Sequence, residues 1–179
     1  MKPIIYLFYR DLRLLDNVAL TRAVETGKPI IPLYIHDPSG SSYLLTDSAS
    51  EWWLLNSLRK LDKSLRKLNS KLILRKGNRQ EVLKNLIKFS DAEAIYLSRR
   101  YYEWENSEDT VLSKALDIPY RRFKGYLLSE PEDLRTKTDT PYKVFTPFYR
   151  AFLEAQEIAE IIPAPKKLFS PRNWPESED

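Results

Sequence analysis

The chain has 179 residues, with 29 Lys and Arg against 25 Asp and Glu, for a formal net charge of +4. Its 42% hydrophobic and 12% aromatic residues suffice for one packed domain, or one domain plus a tail, and exclude disorder as the global state. The absence of Cys and a single His, His36, exclude disulfides, a thiolate zinc site, a cysteine nucleophile and a histidine metal cluster within one chain.

In chain order, the sequence alternates between two periods. Ile4-Ile5-Tyr6-Leu7-Phe8 is a continuous apolar run suited to a strand buried on both faces. Asn17 is placed to cap a helix from Val18 to about Thr26, and Gly27 to end it in the left-handed conformation. Ile30-Ile31-Pro32-Leu33-Tyr34-Ile35 is a second strand run. Ser48 and Glu51 form a capping box, and Leu54, Leu58, Leu61, Leu65 and Leu68 mark one face of a long helix. Trp53 is expected to flank that stripe. Trp52 points away from it and needs a cover: the 38–47 loop, a ligand or another domain.

Leu72-Ile73-Leu74 is a third strand. Asn78 and Glu81 open a helix whose apolar face is Val82, Leu83, Leu86 and Ile87. Ala94-Ile95-Tyr96-Leu97 is a fourth strand, and Trp104, Val111, Leu112 and Ala115 predict the buried face of the next helix. A weaker fifth strand lies near Tyr120–Phe123. Thr146-Pro147 reads as a cap followed by proline at the first helical position, opening a helix through Phe148, Phe152 and Ala155. Pro163, Pro165, Pro171 and Pro175 then predict an extended tail over 161–179, frayed at its polar end. Strand–helix alternation with short connections predicts an α/β fold over 1–160. It is a doubly wound, Rossmann-like parallel five-stranded sheet with helices on both faces. Periodicity does not give the strand order.

In such sheets ligands sit beyond the carboxyl ends of the strands. The segments delivered there are Tyr9-Arg10-Asp11, His36-Asp37-Pro38 and Ser98-Arg99-Arg100. There is no P-loop and no G-x-G-x-x-G, and four glycines cannot build a glycine-rich phosphate cradle. Arg10, Asp11 and Arg13 suit an anionic or heteroaromatic ligand, or alternatively salt bridges that hold their own loop. Arg99-Arg100-Tyr101-Tyr102-Glu103-Trp104-Glu105 interleaves cations and rings that could sandwich a flat ligand, unless Trp104 merely starts the helix's buried face. His36 reads as structural before it reads as a ligand contact. Arg121, Arg122 and Lys124, like Lys166 and Lys167, read as solvated charges.

Six segments in order resemble the N-terminal domain of the DNA photolyase/cryptochrome family. Leu7-Phe8-Tyr9-Arg10-Asp11-Leu12-Arg13-Leu14-Leu15-Asp16-Asn17 is similar to the family's W-F-R-R-D-L-R-L-x-D-N, and Ile35-His36-Asp37-Pro38 to its second-strand end. Trp52-Trp53-Leu54-Leu55-Asn56-Ser57-Leu58 resembles R-W-W-L-L-x-S-L, and Arg99-Arg100-Tyr101 through Trp104-Glu105 resembles R-R-Y-x-P-W-E. Leu127-Leu128-Ser129-Glu130-Pro131 and Tyr142-Lys143-Val144-Phe145-Thr146-Pro147-Phe148 resemble L-L-x-E-P and Y-K-V-F-T-P-F.

The resemblance implies an α/β domain that often holds a light-harvesting antenna chromophore: a methenyltetrahydrofolate, a deazaflavin or FMN. A linker and a helical domain follow in full members. That helical domain binds FAD and docks lesion-bearing DNA, and excited reduced flavin passes an electron to a pyrimidine dimer. The resemblance assigns cofactor-binding positions to Arg10, Ile35, His36, Asp37 and Glu105, and no catalytic residue. Tyr9 replaces the first arginine of the R-R pair, and Glu51 the arginine before the tryptophans. Leu45 and Trp104 stand where folate binders carry histidine and asparagine. FMN or deazaflavin is therefore favoured over methenyltetrahydrofolate, with no antenna as an alternative.

The implied activity is that of deoxyribodipyrimidine photo-lyase, light-driven repair of pyrimidine dimers. The FAD-binding helical domain is not among these 179 residues, so no repair is expected from this chain alone. The implied partner is that domain, in cis or in trans, with DNA engaged only through it. The alternatives are an independent nucleotide- or flavin-binding module, an adaptor, and a fragment of a light-signalling cryptochrome. No apolar run approaches the ~20 residues of a membrane span. The N-terminus reaches Arg10 too soon for a signal peptide. A cytoplasmic protein without membrane or metal partners is expected.

Overall fold

A computed structural model describes residues 1–37, 48–155 and 160–178. Five strands form one parallel sheet: β1 (Ile4–Phe8), β2 (Ile30–His36), β3 (Ile73–Lys76), β4 (Ala94–Ser98) and β5 (Tyr120–Phe123). Their spatial order is β3-β2-β1-β4-β5. β1 lies at the centre, with Ile4 opposite both Ile30 of β2 and Ala94 of β4.

Strand side chains alternate between two cores. On one face Ile4, Tyr6, Phe8, Ile30 and Tyr34 pack with Ala19, Leu20 and Ala23 of α1 (Val18–Glu25) and Leu58, Leu61 and Leu65 of α2 (Ala49–Arg66). On the other face Ile5, Leu7, Ile31, Leu33 and Ile35 pack with Leu83 and Leu86 of α3 (Arg79–Ser90) and Leu112 of α4 (Glu103–Ala115). The doubly wound sheet expected from the alternating periods is therefore present. The order of strand addition reverses between β1 and β4, which run parallel, and this switch point opens a crevice at the strands' carboxyl ends.

The helix starts follow their caps. Asn17 Oδ1 accepts from the Leu20 N–H at 3.0 Å, Ser48 Oγ from the Glu51 N–H at 3.1 Å, and Asn78 Oδ1 from the Gln80 N–H at 3.1 Å. Gly27, at φ +69°, takes the left-handed position after α1.

Four expectations are corrected. First, the inner face of α4 is Glu105, Asp109 and Leu112, while Val111 is 59% exposed. Acidic side chains occupy the buried positions because arginines face them: Arg100 binds the Asp109 carboxylate, and Arg10 stands 3.5 Å from that of Glu105. Second, Trp53 does not flank the core; it is 70% exposed, and Trp52 is 64% exposed. The 38–47 loop, one of the three covers expected for Trp52, lies outside the described residues. Third, α5 (Phe145–Ala155) starts at Phe145, one residue before the expected Thr146 cap. Pro147 still sits in the first turn, where no intrahelical N–H is needed.

Fourth, the proline-rich tail is extended but docked rather than frayed. Asp16 donates its N–H to the Ile162 carbonyl and Ile30 to the Phe169 carbonyl, both at 2.8 Å. Leu168 enters the first core, Trp174 packs on the second, and the Glu178 N–H reaches the Leu74 carbonyl of edge strand β3 at 3.0 Å. No helix among the described residues is long and apolar enough to cross a membrane.

Candidate functional site

The loops leaving β1 and β4 form a cavity of about 250 Å³ at the switch point. Tyr9, Arg10 and Asp11 line it from one side, and Ser98 to Tyr102 with Glu105 from the other. Tyr126 and Leu127 form its rim. Sequence reasoning about the strand ends found the first two groups. It missed the rim, because residues 126–132 have no periodicity. Their signal was the Leu127-Leu128-Ser129-Glu130-Pro131 run, which carried the resemblance without a structural role.

Asp11 ties the two loops together. Its carboxylate accepts from Ser98 Oγ at 2.5 Å, from Tyr6 Oη at 3.3 Å and from the Tyr9 N–H at 3.3 Å. Burial raises its pKa, opposed by the Ser98 and Tyr9 hydrogen bonds. Arg13 pairs with Asp16 at 3.5 Å. The two readings of the 10–13 loop are thus split: Asp11 and Arg13 hold the loop, and Arg10 remains on the cavity.

Arg100 is buried and spent. Its guanidinium binds both Asp109 carboxylate oxygens, donates to Glu108 Oε2 at 2.9 Å and to the Glu105 carbonyl at 3.2 Å. Arg79, at the start of α3, donates to the same Glu108 oxygen at 2.6 Å. Tyr9 lies among three guanidiniums, at 4.7 Å from Arg100, 5.1 Å from Arg79 and 5.3 Å from Arg10. Burial and the Glu105 charge raise the Tyr9 pKa, and the arginines pull against them.

Arg99 latches the rim. It donates to Glu130 Oε2 at 3.1 Å and to both oxygens of Glu132. Tyr101 donates to the other Glu130 oxygen at 2.6 Å and stacks on Tyr126 at 6.4 Å. The 126–132 segment is thereby fixed over the cavity by charge and ring contacts.

One polar atom on the cavity has no hydrogen bond among the described residues. Glu105 is 3% exposed; its Oε2 accepts from the Tyr102 N–H at 3.3 Å, whereas Oε1 accepts from nothing. Arg10 Nη2 stands 3.5 Å from Oε1, beyond good hydrogen-bond geometry. The same guanidinium lies 5.2 Å from the Tyr102 ring and 6.0 Å from Trp104. Trp104 stacks beside Tyr102 and is half-buried, not part of the inner face of α4.

The five candidate positions separate. Arg10 and Glu105 meet across the cavity. Ile35 points into the second core against α3 and does not line it. Asp37 is buried and accepts from the Arg79 N–H at 3.0 Å, supporting the start of α3. The His36 carbonyl accepts from the Gly77 N–H at 3.0 Å, and its side chain is not on the cavity. The loop containing Leu45, relevant to folate, lies outside the described residues. The basic residues of β5 and just beyond it are not idle: Arg121 donates to Tyr96 Oη, Arg122 to Asn106 Oδ1, and Lys124 pairs with Asp133. Among the described residues, no group of three or more acidic or histidine side chains is arranged to hold a metal.

Residues 4–166 match the model of the DNA photolyase family. The chain belongs to this family. The deoxyribodipyrimidine photo-lyase of Agrobacterium fabrum is 40% identical over 179 residues, covering 98% of this chain and 37% of that protein. The crystal structure of a class III photolyase from Agrobacterium tumefaciens superposes with a TM-score of 0.92 at 40% identity, over 100% of this chain and 37% of that one. A Sulfolobus tokodaii photolyase, solved with two FAD molecules, gives a TM-score of 0.72 at 27% identity, over 94% and 37%. The chain thus spans under two fifths of the photolyases it matches, as their N-terminal part.

Proposed function

We propose that this chain is the chromophore-binding part of a photolyase, and that the β1/β4 cavity takes the ring of a light-harvesting chromophore. The observation that carries this reading is Glu105 Oε1, a buried carboxylate oxygen that accepts no hydrogen bond and has only the Arg10 guanidinium at 3.5 Å, on a cavity walled by rings. An unsatisfied buried acceptor is costly, and a ring N–H would relieve it. Flavins, deazaflavins and pterins share an edge that sets an N–H beside a carbonyl. Glu105 would accept from that N–H, and Arg10 would donate to the carbonyl. Tyr9, Tyr101 and Tyr102 offer ring faces. The cavity's size suits a ring system.

A bound chromophore supplies absorption, and its excitation passes to FAD held in the helical part of a photolyase. The flavin-type rings are the first candidates, because Trp104 replaces the asparagine of folate binders. The Sulfolobus photolyase, with its two FAD molecules, supports a flavin in this family beyond the catalytic one.

The partner is the FAD-binding helical part of the family. Its docking surface on this chain includes α5, which has no buried residue and leaves Phe145, Tyr149 and Leu153 exposed. Dimer splitting needs that part, so the 179-residue chain splits no pyrimidine dimers in light on its own.

The test is fluorescence titration of the chain with FMN, a deazaflavin and methenyltetrahydrofolate. At least one binds, and Arg10→Ala and Glu105→Gln each weaken it by at least about tenfold, the size of a charge-assisted hydrogen bond. Equal affinity in the parent and both variants overturns the site. Light-dependent dimer splitting by the isolated chain overturns the division of labour.

A further inference from the structure

The core uses one side of α2 and leaves the other with an unusual composition. At about 100° per residue, the inward leucines Leu54, Leu58, Leu61, Leu65 and Leu68 share one side. Trp52, Trp53, Arg59, Lys60, Lys63, Arg66 and Lys67 fall within an arc of about 140° on the opposite side. All seven are exposed. Arg66 pairs with Asp62 at 2.6 Å, but Arg59, Lys60, Lys63 and Lys67 have no ion pair among the described residues. The stripe runs from the tryptophans to Lys67 over about 22 Å, at about 1.5 Å per residue, with no acidic residue inside the arc.

Two indoles open to solvent on a folded surface forfeit burial energy unless something covers them. A protein partner that covered the whole face would have to bury four unpaired cations with them, which is costly. A lipid surface is recognised by a helix with an apolar face to insert, and the apolar face of α2 is already in the core. Single-stranded nucleic acid offers what this stripe lacks: phosphates along a line for the cations, and open base faces for the indoles. A duplex offers the phosphates but keeps its base faces stacked. We propose that the solvent face of α2 binds single-stranded nucleic acid. Trp52 and Trp53 stack bases at one end, and Arg59, Lys60, Lys63 and Lys67 track the backbone over the remaining turns.

The experiment is fluorescence anisotropy of the 179-residue chain with labelled oligo-dT of about 12 nucleotides, within the site sizes of single-strand binders. Between about 50 and about 200 mM salt, four phosphate contacts weaken binding by about 50-fold. The triple variant Lys60→Glu, Lys63→Glu, Lys67→Glu abolishes binding. The pair Trp52→Ala, Trp53→Ala weakens oligo-dT by at least about tenfold and leaves the residual duplex affinity unchanged, since stacking serves only unstacked bases. All five side chains are exposed, so unaltered circular dichroism is expected in both variants. No binding to oligo-dT at low salt overturns the proposal. So does duplex binding as tight as single-strand binding, or equal competition by polyglutamate, either of which reduces the stripe to plain charge. Binding to anionic lipid vesicles without binding to oligo-dT assigns the face to a membrane and also overturns it.

Discussion

Glu132 is an exposed carboxylate held ionised by one neighbour. The hydrogen bond from Arg99 is the largest cause that lowers its pKa, from 4.5 to about 2. A folded-state pKa below the unfolded one contributes stability that is present above pH 4.5 and is lost as pH falls through about 2. Glu132 lies at the surface, so the contribution to global stability is small and screened by salt. The informative quantity is the titration itself. Carbon NMR of the carboxyl should show a midpoint near 2 in the parent chain, returning to the ordinary glutamate range in Arg99→Gln. An unshifted midpoint in the parent chain would show that Glu132 is not paired with Arg99 in solution. Glu130 differs in kind: it is 5% exposed and accepts from both Arg99 and Tyr101, so the rim has a buried anchor beside the exposed one.

At the scale of the element, α4 separates two readings of one sequence. Apolar spacing puts Val111 and Leu112 together on the inner face, whereas the structure buries Leu112 and exposes Val111. Leu112→Ala is therefore expected to cost ~2–5 kcal/mol in urea unfolding, and Val111→Ala less than ~0.5 kcal/mol. A larger loss at Val111 would rotate the helix and reject the structure's register. The sequence misleads here for a physical reason. Hydrophobic periodicity registers apolar burial alone, and α4 turns Asp109 inward to meet Arg100 from the loop after β4, and Glu105 inward toward Arg10 from the loop after β1. The strands were legible, since a sheet covered on both faces demands continuous apolar runs. So were the caps, because Asn17, Ser48 and Asn78 act within three residues of themselves. Strand order was not, because β1 pairs with β4 across some ninety residues of chain. The site divides in the same way. Arg10 and Glu105 stand beside strand ends that any doubly wound sheet would present. Tyr126 and Leu127 arrive through ion pairs on Arg99, which no local pattern announces.

For the whole molecule, the segment 160–178 is a strap around a sheet that would otherwise have an open edge. β3 is an outermost strand, with backbone groups free for pairing with another chain. The strap takes them up: the Leu74 N–H donates to Ser177 Oγ at 2.9 Å, the Leu74 carbonyl accepts from Glu178, and the Lys76 N–H donates to Glu178 Oε2 at 3.1 Å. Leu168 is 2% exposed on one face of the sheet, and Trp174 packs on the other under Lys71 at 5.2 Å. A segment rich in proline is suited to this task, since its restricted backbone loses less entropy when it docks. Leu168→Ala should remove ~2–5 kcal/mol by leaving a cavity in the first core, a fall in Tm of about 4–20 °C for a domain of this size. Truncation before residue 160 should lower Tm at least as far and add concentration-dependent association, because it uncovers β3 as well as the core. The two variants separate these roles in light scattering: Leu168→Ala stays monodisperse while the truncated chain associates. A truncated chain that melts where the parent does would show that the strap contributes neither packing nor edge protection, and that the sheet stands without it.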